Sequence, residues 1–132
     1  MADIADSEAA FIEWISGDPN ITWEISSDND LDTEFIRIYR SGGTTDPGTK
    51  LDHPQLVVSV FGGASPSETP KHAVATMALD ALARALDMKG KTVAGCVCTY
   101  VEVANGLQAI PEPNKRRHYQ FAVNLTTHPA KE

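Results

Sequence analysis

The chain is poor in the residues and patterns that announce chemistry. It holds two cysteines, Cys96 and Cys98, a Cys-x-Cys pair inside one predicted strand. No further cysteine or suitably spaced histidine completes a soft-metal site, so two buried thiols in a reducing compartment are expected, with no metal and no cofactor. The four histidines, His53, His72, His118 and His128, show no ligand spacing. No apolar run approaches the roughly 20 residues of a membrane span. Met1-Ala2-Asp3-Ile4-Ala5-Asp6 lacks the basic start of a secretion signal, and no membrane partner is expected. No internal repeat is found, and 132 residues suit one domain, 1–132, with one core.

The motifs of catalysis are missing as well. There is no G-x-S-x-G nucleophile elbow, and no Ser, Cys or Lys with a local activator, so an enzyme is not expected. Gly62-Gly63-Ala64-Ser65 sits between a predicted strand and a helix, but it lacks both the G-x-G-x-x-G fingerprint and the Walker lysine. Asp28-x-Asp30-x-Asp32 begins like a calcium loop, then places Thr33 where glycine is needed and Tyr39 where the bidentate glutamate belongs.

Positive charge is absent from the first quarter of the chain. Residues 1–36 carry ten acids and neither Lys nor Arg; the remainder carries eight acids and eleven bases, against a total of −7. This argues against a general nucleic-acid binder. It leaves two readings open, an electrostatic docking surface or a solvated acidic face.

Hydrophobic patterning supplies the fold. Residues about 6–16 read as a helix capped by Asp6, with Phe11, Trp14 and Ile15 on one side and a stop at Gly17-Asp18-Pro19. Ile21–Ile25 alternates as a short edge strand, and Ser26–Thr33 is an acidic loop. Glu34–Arg40 is a strand with Ile36 and Ile38 on one face and Phe35, Arg37 and Tyr39 on the other. Ser41–Thr49 reads as a projecting loop, followed by the buried strand Leu56–Phe61. Ser65–Pro70 is a polar connector.

A helix then starts at Thr69 as N-cap, with Pro70 in its first turn. Val74, Met77, Ala78, Ala81, Leu82, Ala85 and Leu86 form its core stripe, and Ala75, Leu79, Leu82 and Leu86 a second apolar row. Thr76, Asp80, Arg84 and Asp87 are left as the wet row, with Asp80 and Arg84 spaced for an ion pair. So narrow a polar stripe points to cover on two sides, by the sheet and by a second chain.

Thr92–Val103 is a strand with Val93, Val97, Val101 and Val103 on one face, and a second loop runs from Asn105 to Lys115. His118–Leu125 alternates with Tyr119, Phe121, Val123 and Leu125 inward, before a loose polar tail, 126–132. Lys115-Arg116-Arg117-His118 is the one basic cluster, a solvated turn or a contact with an acidic neighbour. The predicted class is α+β in the order α-β-β-α-β-β: a mainly antiparallel sheet of four strands, five if Ile21–Ile25 joins, with helices on one face.

Four segments carry a resemblance: Phe35–Gly43, His53–Gly62, the Ala-rich helix Ala73–Leu86, and Arg116–Val123. Together they resemble the tail terminator proteins of long-tailed (siphovirus-type) bacteriophages, especially those of actinobacteria. The acidic, tryptophan-bearing N-terminal stretch, 1–34, departs from that pattern, and no residue there is carried over. The resemblance implies a structural virion protein assembled in the bacterial cytoplasm, a hexameric ring that caps the tail tube, ends its polymerisation and joins it to the neck. Implied partners are other copies of the chain, the tail tube protein and a head–tail stopper, with DNA passing the lumen without specific binding.

Interface residues expected on this reading are Arg37, Arg40, Asp46 and Lys50 around the first loop, Ala75 and Leu79 on the helix, and Lys115, Arg116 and Arg117 in the second loop. Another neck component, such as a stopper or tail completion protein, is the nearest alternative. A small ligand-binding α+β domain or enzyme is a further one.

Overall fold

A computed structural model of the chain describes residues 6–26, 31–65 and 69–130. The calcium-like Asp28 and Asp30, half of the acidic loop, the centre of the Ser65–Pro70 connector and the last two residues lie outside that description.

Among the described residues two helices and six strands follow one another as α1 (Ser7–Ser16), β1 (Glu24–Ile25), β2 (Phe35–Asp46), β3 (Leu51–Phe61), α2 (Lys71–Leu86), β4 (Thr92–Val93), β5 (Cys96–Ala109) and β6 (His118–Pro129). They build one sheet in the order β1-β2-β3-β6-β5-β4, antiparallel except for the short β1–β2 pair. The class is the expected α+β. The strand count is six rather than four or five, because the segment expected as one strand from Thr92 folds back on itself. Ala94 and Gly95, at φ +51° and +75°, make the two-residue turn between β4 and β5; turns of that kind need positive φ at both central residues.

The core lies between the sheet and the helices. Ile36↔Val60, Ile38↔Val58, Val58↔Phe121 and Leu56↔Val123 are opposed in register, so they share one sheet face. Against them α2 brings Val74, Met77, Ala78, Ala81 and Ala85, and α1 brings Ala10, Phe11 and Ile15. The α1 cap is as expected: Asp6 accepts the Ala9 N–H at 3.0 Å. The α2 cap is not. Thr69 Oγ1 instead accepts from Gly63 N and donates to Glu34, tying the β3 exit to β2, and Pro70 caps without a side-chain bond.

Both expected loops shrink and the expected loose tail orders. The β2–β3 hairpin stays paired to Asp46↔Leu51, leaving only 47–50 as a turn. A bulge between Arg40 and Gly42 absorbs the irregular sequence, and Gly43, at φ +103°, approaches the partner strand so closely that a Cβ would lie 2.0 Å from His53 O. Pro54 is tolerated because the ladder to β6 lapses at His53 and Pro54.

On the other side β5 continues to Ala109 through three register shifts; the one between Cys98 and Tyr100 puts Val101 on the face opposite to Val97, and Val103, on the same face as the buried Val101, is 42% exposed. The shared valine face expected for Thr92–Val103 is broken by those shifts. Thr126–Pro129 belongs to β6, and Thr127 is fully buried.

Candidate assembly surfaces

At the end of the sheet where β2 turns into β3, Asp52 gathers four elements around one carboxylate. Arg40 donates from Nη1 and Nη2 to its two oxygens, each at 2.8 Å, and Thr45 Oγ1 and Ser7 Oγ donate at the same distance. Ser7 Oγ also meets Thr127 Oγ1 at 2.8 Å, and Glu8 Oε2 accepts the Arg40 backbone N–H at 2.7 Å. Burial would raise the Asp52 pKa, but the bonds from Arg40, Thr45 and Ser7 outweigh it and hold the carboxyl below the usual range. An anion so fully engaged is a rivet joining α1, β2, β3 and β6. The thiols beside it are free and buried, and burial pushes Cys98 up to about 11, which keeps it protonated.

At the opposite end, on the sheet face away from the helices, Phe35, Phe61 and His118 stack in register across β2, β3 and β6, with ring centroids 4.7 and 4.0 Å apart. Two guanidiniums cover the stack: Arg116 lies 5.0 Å and Arg37 5.7 Å from the Phe35 centroid. Arg116 is buried, donating Nε to Gly62 O at 2.7 Å and Nη2 to the carbonyls of Leu31 and Thr33.

His118, expected to face outward, is only 8% exposed. Glu112 Oε1 approaches its Nδ1 at 2.9 Å, yet neither ring nitrogen has an aligned hydrogen bond. Burial lowers its pKa, Arg37 and Arg116 act in the same direction, and Glu112 opposes them.

The basic cluster is therefore split. Arg116 and His118 point into the molecule, while Lys115 and Arg117 stay exposed and line, with Lys71 and Tyr119, a cleft of about 390 Å³. Of the other expected interface residues, Arg40 is spent on Asp52 and Arg37 lies half-buried over the rings. Asp46 caps the 47–50 turn by accepting from Gly48 N and Thr49 N, and Lys50 ends that turn at φ +61°.

On the outer face of α2 one member of the expected wet row turns inward. Arg84, expected in the wet row with Asp80, turns to α1: its guanidinium lies 3.4 Å from the Trp14 ring centroid, and its Nε donates to Trp14 O at 2.8 Å. Trp14 Nε1 returns a bond to Arg84 O at 2.7 Å. The second apolar row faces solvent beside the exposed Thr76 and Asp87, with Leu79 54% and Leu86 42% exposed and Ala75 and Leu82 half-buried. Leu86, expected in the core stripe, is outside it.

Sequence reading missed Ser7, Thr45, Asp52 and Thr127, whose bonds span up to 120 positions, and it missed the Phe35–Phe61–His118 stack. A usable signal existed for Asp52: a lone acid beside the most apolar strand.

Among solved structures, the fold is shared with a chain of one described as "Virion of native gene transfer agent (GTA) particle", with a TM-score of 0.66 and 14% identity. The superposition covers 92% of this chain and 94% of that one. No protein family and no curated protein matches the sequence.

Proposed function

We propose that this chain is a structural virion protein of the tail-terminator type. It forms a hexameric ring that caps the tail tube, stops tube growth and joins the tail to the neck, and it is assembled in the host bacterial cytoplasm. The observation that carries this reading is the two-way coverage: a chain of a virion particle and this one share their fold over nearly their whole lengths, 94% and 92%. The terminator-like segments and the leucines left bare on α2 support it further, since apolar surface of that kind favours a subunit contact.

In this reading Ala75 and Leu79 meet a neighbouring subunit. Lys115 and Arg117, with the Asp46–Lys50 turn, reach toward tube or neck proteins. Arg37, Arg40 and Arg116 support those surfaces from within, because their guanidiniums are engaged inside the chain. The net acidity of the chain suits a lumen that DNA crosses without binding, because like charge repels phosphate.

The test is to add the purified chain to tail tube protein polymerising in vitro. Short tubes of limited length, each ending in this protein, are the expected result. Tubes that grow unchanged and carry none of it would overturn the terminator role. Binding only to a neck assembly would mark a stopper or completion protein instead.

A further inference from the structure

The topology sorts charge to opposite edges of the sheet. Glu24 lies in the edge strand β1, and Asp32 lies in the segment leading into the neighbouring β2, where its carbonyl accepts from Ala64 N; both are exposed, in the part of the chain that has no Lys or Arg. At the β4 edge lie Lys89 and Lys91, also exposed, immediately before β4. Six strands separate these edges by about 24 Å at the ordinary strand spacing.

The β4 edge also carries a cleft of about 490 Å³ lined by Trp14, Arg84, Leu86, Asp87, Lys89 and Lys91. It has an apolar centre in Trp14 and the 42% exposed Leu86, and a rim in which Lys89 and Lys91 stand against one acid, Arg84 being held over Trp14. Lys89 Nζ stands 5.6 Å from the ring of Tyr100, itself 46% exposed, which extends the apolar surface onto β5. At the β1 edge Trp23 and Ile25 pack against the chain's own core and are left half-buried, on either side of Glu24 in sequence. Each surface thus has the anatomy of an interface, apolar inside and charged at the margin.

We infer that the cleft at the β4 edge receives the acidic β1 edge of a second copy of this chain, in a head-to-tail contact. The inference rests on the ring reading and names the surfaces that would build it. A two-fold contact through either edge sets lysines against lysines or carboxylates against carboxylates. Only the pairing of unlike edges opposes charges of opposite sign. That pairing is heterologous, and a heterologous contact closes into a ring when its rotation permits. Trp23 and Ile25 would lie over Leu86 and Trp14, with Glu24 and Asp32 facing Lys89 and Lys91.

The experiment is a charge swap in the full chain, read by mass in solution and by imaging with tail tubes present. Wild type should assemble, less readily as salt is raised. Lys89→Glu with Lys91→Glu should need at least about tenfold more protein to assemble, and Glu24→Lys with Asp32→Lys should do the same. Mixing the two variants should restore mixed assemblies through the junction where both charges are reversed. All four residues are exposed, so each variant should melt like the wild type. Rings that form normally from either variant, or a mixture that rescues nothing, would overturn this assignment and leave the ring reading standing. A wild type that stays monomeric, alone and on tubes, would overturn the ring reading and this inference together.

Discussion

Where β2 turns into β3 the buried charge is a carboxylate, and where β5 turns into β6 it is a guanidinium. Asp52 is held by hydroxyls and by Arg40, all aimed at its two oxygens. Arg116 is held by backbone carbonyls and by the faces of two phenylalanines, with no acid directly paired to it among the contacts described. The first arrangement is made of small polar side chains from four elements and fixes where α1 sits. The second is made of backbone and rings, and it folds the 110–117 segment onto the uncovered sheet face. A compact anion needs convergent donors, whereas a flat cation can be satisfied by dispersed carbonyls and π-clouds. The chain therefore spends Arg40, Arg84 and Arg116 internally and keeps Lys71, Lys89, Lys91, Lys115 and Arg117 outside.

The contrast can be broken most severely at Asp52. Replacing it by Ala strands Arg40, Ser7 and Thr45; because Arg40 is 31% exposed and recovers some water, the loss should be about 2–4 kcal/mol in urea unfolding. Arg116→Ala leaves three carbonyls short of a donor and uncovers the rings, and should cost about 2–3 kcal/mol. Arg117→Ala, one residue on but exposed, should stay within about 0.5 kcal/mol. Equal losses at the two arginines would contradict the inward–outward split.

The two ends should also separate by pH. Asp52 titrates lower folded than unfolded, so its contribution is complete above about pH 4 and is lost as pH falls through the lowered folded value. His118 is also lowered, but here the neutral ring is the folded form. Its contribution is complete above about pH 6.5 and declines as pH drops from there toward the folded value. Unfolding free energy followed from pH 8 to 3 should show both limbs, and His118→Gln should flatten the upper one alone. A modest gain is expected at the β4–β5 turn: Ala94→Gly relieves a side chain at φ +51° and should add roughly 0.5–1 kcal/mol.

Short-range signals located α1, β3, α2 and the class of fold, because capping, apolar runs and helical spacing are written locally. The turn-rich Ser41–Thr49 was legible as irregular but not as paired, since its pairing depends on a bulge at Ser41 and on Asp52 reaching back to Arg40 and Thr45. Val97 and Val101 do not share a face because alternation fails wherever a strand slips register. The bare second row of α2 was legible as a pattern. What it left out was the orientation of the helix: the Arg84–Trp14 clasp, 70 positions apart in sequence, turns the cation inward and the leucines outward.

The central claim, a ring that caps a tail tube, is tested most directly by measuring the mass of the purified protein with and without tail tubes and imaging the tube ends. The account predicts a hexamer in solution or one formed on the tube, seen as a closed cap at one end. A strict monomer at high concentration that also leaves tube ends bare would contradict it.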